Sequence, residues 1–387
     1  MKRNFRAKGI ILAGMLACMS VLFGGCAKQN GKKAAADGGA VKPKVGIVIW
    51  GSSDALARMS IKIMSRLVEL SGGESVVNTD GYSPEIQIQA VENLIAGGCN
   101  GIIIVNSSDT MLPRLAQLCE NNQVYWGLMW RRIMDPVIAK QVESSKYFIG
   151  YTAEDEEEIG YRMGKSLADA GCKECAVVTR DVGDTTHDSR NRGFDKACAE
   201  TGLKRVAEVR GSLGSQGVME AVEKFLIGYP QLDSIYLTGG TDGFLEGALA
   251  ALDKHGKRGK IKVAVVDFID AEQMKSYLKD GTLYAISGGH YVDPVFTMSM
   301  IVNAIQGNRL SDKAEGISLH FIKLNSYDDA VNYYKYVENE QENLLAYNDD
   351  ELKQMIRKYN PALTVDDLHT KAASYSIDDV MTRHGNK

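Results

Sequence analysis

Three apolar runs in this chain end on residues that could hold a polar ligand. Val45–Trp50 closes on Trp50 and continues into Gly51-Ser52-Ser53-Asp54, and Val124–Trp130 closes on Trp130, with Arg131 next. Val263-Ala264-Val265-Val266 closes on Asp267. A carboxylate at the end of so apolar a strand needs a partner, either ligand hydroxyls or backbone donors. Aromatic plates beside guanidinium and carboxylate groups suit a molecule with a weakly apolar ring face and hydroxyls around its edge. A packed core offers either tryptophan a plainer role, and Trp126, inside its run, reads as core.

Bond-making chemistry finds less support. His187, Asp188 and Ser189 have the types of a catalytic triad, but adjacent residues cannot supply its geometry by spacing alone, and no nucleophile elbow is present. No Gly-x-Gly-x-x-Gly follows the first strand, and no Gly-Lys-Ser/Thr loop offers a phosphate cradle. Cys172-Lys173-Glu174-Cys175 has redox spacing, but a lone pair with no histidines beside it is weak for metal and reads as framing the start of a strand. No catalytic residue, metal or cofactor is expected.

The elements that must position these residues alternate between β-rich runs and amphipathic stretches. Val45–Trp50, Ser75–Asp80, Gly101–Asn106 and Val124–Trp130 read as buried strands. Ser83-Pro84 starts a helix, serine as N-cap and proline in the first turn, and Gly97-Gly98 stops it. A second cycle opens at Tyr147–Tyr151, where Thr152 with Asp155 reads as an N-cap pair and Glu154 to Glu158 crowd the positive end of a helix dipole. Strands at Cys175–Thr179, Val206–Arg210, Ser234–Thr238, Lys262–Asp267 and Tyr284–Ser287 follow. After Ser215, Val218, Ala221, Val222, Phe225 and Leu226 fall at helical spacing. Repeated βα units with buried strands mean parallel sheets covered by helices. Two α/β lobes fit their number better than one sheet, and a single (β/α)₈ barrel is the alternative. Residues 327–387 are polar and helical in propensity, broken at Asn360-Pro361, and are expected to pack on one lobe.

The chain has 387 residues, 44% hydrophobic and 24% charged, with net charge −4 and no basic concentration, so no nucleic-acid partner is expected. Its N-terminus reads as an address. Lys2, Arg3, Arg6 and Lys8 precede an apolar run that ends at Leu22-Phe23-Gly24-Gly25-Cys26. That resembles a bacterial lipobox, with Cys26 lipidated and 1–26 as the signal segment; Phe23 stands where Leu is usual. Residues 27–43, rich in Lys, Gly and Ala, read as a flexible tether. Without Cys18 and Cys26 five cysteines remain, an odd number that argues against a disulfide framework.

Four further segments carry a resemblance: Val105-Asn106-Ser107-Ser108-Asp109, Ser189-Arg190-Asn191-Arg192-Gly193-Phe194, the run Thr241 to Leu249, and Val265-Val266-Asp267. In this order, behind a lipobox, they resemble the type 1 periplasmic sugar-binding proteins. The resemblance implies two Rossmann-like lobes joined by three hinge crossings, with the N-lobe at 44–149 and 290–317, the C-lobe at 150–289 and 318–326, and a helical C-terminal extension at 327–387. It implies ligand contacts from Arg131, Arg190, Asp242, Asp267 and His290, joined by Trp50, Asp54 and Trp130 at the strand ends. Trp130 stands where the family has a carboxylate, and Asp242 could also cap the helix that follows it. The implied protein is a monomer that hands a small polar ligand, a monosaccharide first, to an ABC permease from the outer face of a membrane. A nucleoside clamped between Trp50 and Trp130, a polyol or furanose-type signal, and output to a chemoreceptor or sensor kinase stay open.

Overall fold

Strands with apolar side chains on both faces can be satisfied only by sheets that helices cover on both sides, and the chain builds two of them. The computed structural model describes residues 41–240 and 243–385; Cys26, the signal segment, nearly all of the tether and Asp242 lie outside the described residues. Strands β1 (Lys44–Val48), β2 (Glu74–Asn78), β3 (Gly101–Ile104), β4 (Tyr125–Met129) and β5 (Phe148–Glu154) alternate with helices α1 (Ala55–Leu70), α2 (Pro84–Ala96), α3 (Leu112–Asn122) and α4 (Pro136–Glu143). A second series follows: β6 (Glu174–Thr179), β7 (Lys204–Arg210), β8 (Ser234–Leu237), β9 (Lys262–Val266) and β10 (Ala285–Gly288). Its helices are α5 (Glu156–Asp169), α6 (Thr185–Thr201), α7 (Gly214–Gly228), α8 (Phe244–Lys254) and α9 (Ala271–Lys279). Helix α10 (Pro294–Ile305) then returns to the first lobe. There β11 (Glu315–Leu319) pairs parallel with β5, while β12 (Ile322–Leu324) pairs antiparallel with β10.

The sheet orders, β11-β5-β4-β3-β1-β2 and β12-β10-β9-β8-β6-β7, repeat one pattern. Strands β4 and β9 therefore hold the same place in their sheets, and so do the residues that follow them, Trp130 and Asp267. The chain passes between the sheets after β5, between β10 and α10, and between β11 and β12.

Local chemistry explains most starts and stops. Ser83 caps α2 by accepting from the Ile86 N–H, and Pro84 sits in its first turn, as the sequence predicts. Asp155 alone caps α5, with Glu156, Glu157 and Glu158 in the first turn; Thr152 is a buried strand residue whose hydroxyl meets that of Thr297. The expected Thr152–Asp155 cap pair is thus corrected, because β5 runs on to Glu154. For the same reason β5 lies wholly in the first sheet, and the passage falls at Asp155 rather than at the expected 149/150. Strand β2 is an edge strand with exposed valines, not a buried one. Arg190 stands in the second turn of α6, which starts earlier, at Thr185 under the Asp184 cap.

The C-terminal segment carries helices α11 (Tyr327–Asn332), α12 (Asp349–Lys353), α13 (Val365–Ser374) and α14 (Ile377–Arg383). It was expected on one lobe, but it touches both. Helix α11 packs on α9 of the second lobe, whereas α12 packs on α1 and α13 on β11 of the first. Two ion pairs fix the far end: Arg58 Nε and Nη2 donate to Glu340 at 2.8 and 3.0 Å, and Arg66 pairs with Asp349. Between these ends Tyr333–Val337 forms a π-helical turn. The segment is therefore a fourth link between the lobes.

Helices α5 and α6 meet through glycine. A Cβ on Gly160 would stand 1.8 Å from the Arg190 carbonyl oxygen, and one on Gly193 would stand 1.8 Å from that of Glu157. Backbone cannot yield as a flexible side chain does, so the helices would have to separate. Gly160→Ala is expected to lower stability by about 1–3 kcal/mol, measured by urea denaturation, and to weaken ligand binding by moving Arg190. An unchanged midpoint would refute this account of the helix contact.

Candidate functional site

The C-terminal ends of both sheets open on one cavity of about 1000 Å³. Crevices at strand ends are where open α/β sheets bind ligands. Trp50, Asp54, Trp130, Arg131, Arg190, Asp267 and His290 all line it; Asp242 lies outside the described residues.

Arg190 organises the inner end. It is 4% exposed; its Nε donates to Glu156 Oε2 at 2.6 Å, its Nη1 donates to the Thr238 carbonyl at 2.7 Å, and Asp267 Oδ2 lies 3.8 Å from Nη1. Burial opposes its charge, and Glu156 and Asp267 more than offset that, holding the guanidinium above its usual range. Arg131 is placed differently. Its Nη1 donates to the Trp130 carbonyl at 3.2 Å, its guanidinium also bonds the Tyr82 hydroxyl, and it forms no ion pair among the described residues. A half-buried guanidinium with unused donors on a cavity wall is free to bind acceptors on a ligand.

Two residues at equivalent strand ends hold strained backbone: Trp130 has φ 57° and Asp267 has φ 74°. Left-handed backbone in a non-glycine residue costs about 1–3 kcal/mol and persists where the surroundings demand it. Here the strain turns each chain sharply at the cavity wall and presents Arg131 and the Asp267 carboxylate to it.

Trp130 is buried, and its indole N–H donates to the His290 carbonyl at 3.1 Å, tying the end of β4 to the second passage. Trp50 packs against it with ring centroids 5.2 Å apart and planes tilted 40°. A slab of aromatic thickness between two rings needs centroids about 7 Å apart, the upper limit of direct ring contact. The expectation of a ligand sandwiched between these tryptophans is therefore corrected: they touch each other. Asp54 has both oxygens engaged, one by the Ala57 N–H as N-cap of α1 and the other by Trp50 Nε1, each at 2.8 Å. It orients Trp50 more directly than it faces a ligand.

His290 stacks on Phe321 at 4.2 Å and 11°, and its Nδ1 has no partner among the described residues. Burial, with Arg190 and Arg131 nearby, pushes its pKa down to about 3. The same influences, joined by Arg180, bring His187 down to about 2, and His187 Nδ1 lies 2.7 Å from the Thr238 hydroxyl. Both imidazoles are neutral at working pH, so each carries one donor and one acceptor.

Sequence reasoning did not single out Glu154, Glu156, Phe321 or the C-terminal residues as part of the site. Glu156 was legible only as dipole chemistry at a helix start. Glu154 ends a strand, which is the available signal, but the local pattern closes that strand at Tyr151. Phe321 sits in the third passage, and nothing local marks it. Glu154 and Asp293 form a buried acid pair between the first and second passages. Burial, reinforced by Glu156, pushes Glu154 up to about 8, and burial with Glu154 raises Asp293 well above the carboxylate range. Among the described residues no other group reaches Glu154 Oε1 or either Asp293 oxygen. The pair is stable only while it holds a proton.

Among the described residues no cluster of His, Cys, Asp and Glu could hold a metal ion, and no helix is long and apolar enough to cross a membrane. The described cysteines are free, and Cys172 and Cys175 are buried beside and within β6.

Comparisons with known proteins agree with this geometry. The family described as "Periplasmic binding protein domain" matches residues 45–309. A D-ribose/D-allose-binding protein of Pseudomonas aeruginosa is 24% identical over 239 residues, 60% of this chain and 71% of that protein. Among solved structures, an ABC transporter periplasmic solute binding protein from Actinobacillus succinogenes with bound D-allose is 19% identical with a TM-score of 0.64, over 76% of this chain and 100% of that one. A periplasmic ribose ABC transporter protein from Conexibacter woesei is 16% identical with a TM-score of 0.66, over 79% of this chain and 99% of that one. Matching sheets, passages between them, a cavity at the strand ends and a family match over most of the chain lead to one conclusion: the chain belongs to the type 1 periplasmic binding protein family.

Proposed function

We propose that this protein is an extracytoplasmic solute-binding lipoprotein, anchored through Cys26, that captures a monosaccharide-class ligand in the cleft and delivers it to an ABC importer. The observation that carries the reading is the convergence of Arg131, Arg190, Asp267 and His290 with the faces of Trp130 and Phe321 on one cavity. The guanidiniums donate to ligand hydroxyls, Asp267 accepts from them, and neutral His290 does either. The aromatic faces take the apolar side of the ring. D-Allose, bound by the Actinobacillus succinogenes protein, and arabinofuranose, bound by a Shewanella relative, are ligands of this type. The contact between Trp50 and Trp130 disfavours a base stacked on both sides. Ligand touching both lobes stabilises the closed arrangement through its differential affinity, which is the signal an importer reads.

The test is a thermal-shift screen of the body from Lys42 against hexoses, pentoses, polyols and nucleosides. A ligand at about 100 times its Kd stabilises by about 2.7 kcal/mol, and a sugar hit is the expected result. Asp267→Ala is expected to weaken that ligand by about 2 kcal/mol in calorimetry, as loss of a desolvated contact does. Hits confined to nucleosides, or full affinity in the variant, would defeat the reading.

A further inference from the structure

The cavity is larger than a single sugar ring, and part of its wall comes from the C-terminal segment. At about 1000 Å³ it stands at the top of the range for sites that enclose drug-sized ligands, whereas a hexose has only about twelve heavy atoms. Its inner end is floored by the buried Arg190 and His290 and the half-buried Asp267. Its outer end is bounded by Tyr334, Glu338 and Glu340 of the C-terminal segment, facing Arg58 and Lys275. This segment lies beyond the family match, which ends at residue 309.

The outer wall is held in place. Tyr333 packs edge-on against Phe268 at 4.9 Å, and its hydroxyl donates to Glu338 Oε2 at 2.5 Å. Tyr291 donates to the Val337 carbonyl at 2.7 Å, and Tyr375 donates to the Gly289 carbonyl at 2.8 Å, binding the segment to the second passage. Glu340 is occupied by Arg58. Glu338 is not occupied in this way: Tyr333 takes one oxygen, and among the described residues the carboxylate has no other hydrogen-bond partner and no ion pair. Burial raises its pKa to about 7. A carboxylate oxygen so placed, open to the cavity, can accept from hydroxyl donors on whatever fills it.

We propose that the C-terminal segment builds an outer subsite, walled by Tyr334 and Glu338, which takes a second sugar unit, so that the ligand is a disaccharide or glycoside whose first ring occupies the inner floor. This rests on the saccharide reading above and extends its single ring to a two-unit ligand. Tyr334 offers a ring face to the second unit, and the free oxygen of Glu338 accepts from its hydroxyls. The π-helical turn at Tyr333–Val337 brings the two side chains to the cleft.

The full chain is titrated by calorimetry with D-ribose, D-allose, D-galactose and L-arabinose, then with maltose, cellobiose, lactose and melibiose. The expected result is a disaccharide that binds at least about tenfold more tightly than any of the free aldoses. Glu338→Gln keeps an acceptor for Tyr333 and the shape of the side chain. It is expected to lower disaccharide affinity about tenfold and leave aldose affinity unchanged. An aldose that binds as tightly as every disaccharide overturns the outer subsite and leaves the saccharide reading standing. So does a Glu338→Gln variant that affects both classes alike or neither. Binding of neither class to the unaltered chain overturns the saccharide reading and the subsite together.

Discussion

Arg190→Met is expected to abolish measurable ligand binding and to lower the stability of the body by about 3–5 kcal/mol. The guanidinium is the buried counter-charge of Glu156 and Asp267 and the donor to the Thr238 carbonyl. Methionine fills a similar volume but leaves two carboxylates without a cation and a carbonyl without a donor. Removing one partner of a buried pair costs far more than the pair contributes in net stability, because the remaining charge stays desolvated. The double variant Arg190→Met/Glu156→Gln is expected to recover part of the stability and none of the binding. Urea denaturation reads the first quantity and calorimetry the second. A single variant within about 1 kcal/mol of the parent would remove Arg190 from the centre of the site.

The second large effect is a decline of stability with rising pH, set by Glu154 and Asp293. Both carboxyls are raised in the folded protein, so the unfolded chain gives up protons that the folded chain keeps. Below the ordinary carboxylate range both states are protonated, and this pair adds no pH dependence. From there up to about pH 8 the unfolded groups are ionised while the folded pair holds its proton, and each carboxyl that stays protonated costs about 1.4 kcal/mol of stability per pH unit. Above about pH 8 the contribution of Glu154 is complete, while Asp293, raised well above the carboxylate range, carries what slope remains. Glu154→Gln replaces one acid with an amide that can donate to Asp293. It is expected to reduce the slope between pH 5 and 8 and to be more stable than the parent at pH 8 by about 1–3 kcal/mol. Denaturation curves across that interval decide the matter, and parallel profiles for the two proteins would count against the buried pair. Because the pair joins two passages between the lobes, ligand affinity measured over the same interval reports whether its ionisation also affects closure.

Much of the fold was legible because its causes are local. Apolar runs such as Val263–Val266, the Ser83-Pro84 start and the periodic face of Val218, Ala221, Val222 and Phe225 each encode an element whose position the structure repeats. The errors arose where local signals stopped short. Tyr147–Tyr151 read as the opening of a new lobe because the acidic stretch beyond it looks like a helix start. The strand's place in the first sheet depends on pairing with β4 and with β11, which lies about 160 residues later.

The sequence by itself determined the two α/β lobes and the strand ends that carry Trp130, Arg131 and Asp267, because periodicity and helix capping act over a few residues. It also supplied the reading of an anchor at Cys26. Only the tertiary structure decided that Trp50 and Trp130 meet rather than part, that Glu154 and Asp293 face each other, and that Tyr334 and Glu338 reach the cleft. These outcomes rest on contacts between segments that lie far apart along the chain. Such contacts are fixed by the packing of whole lobes, and no short stretch of sequence records them.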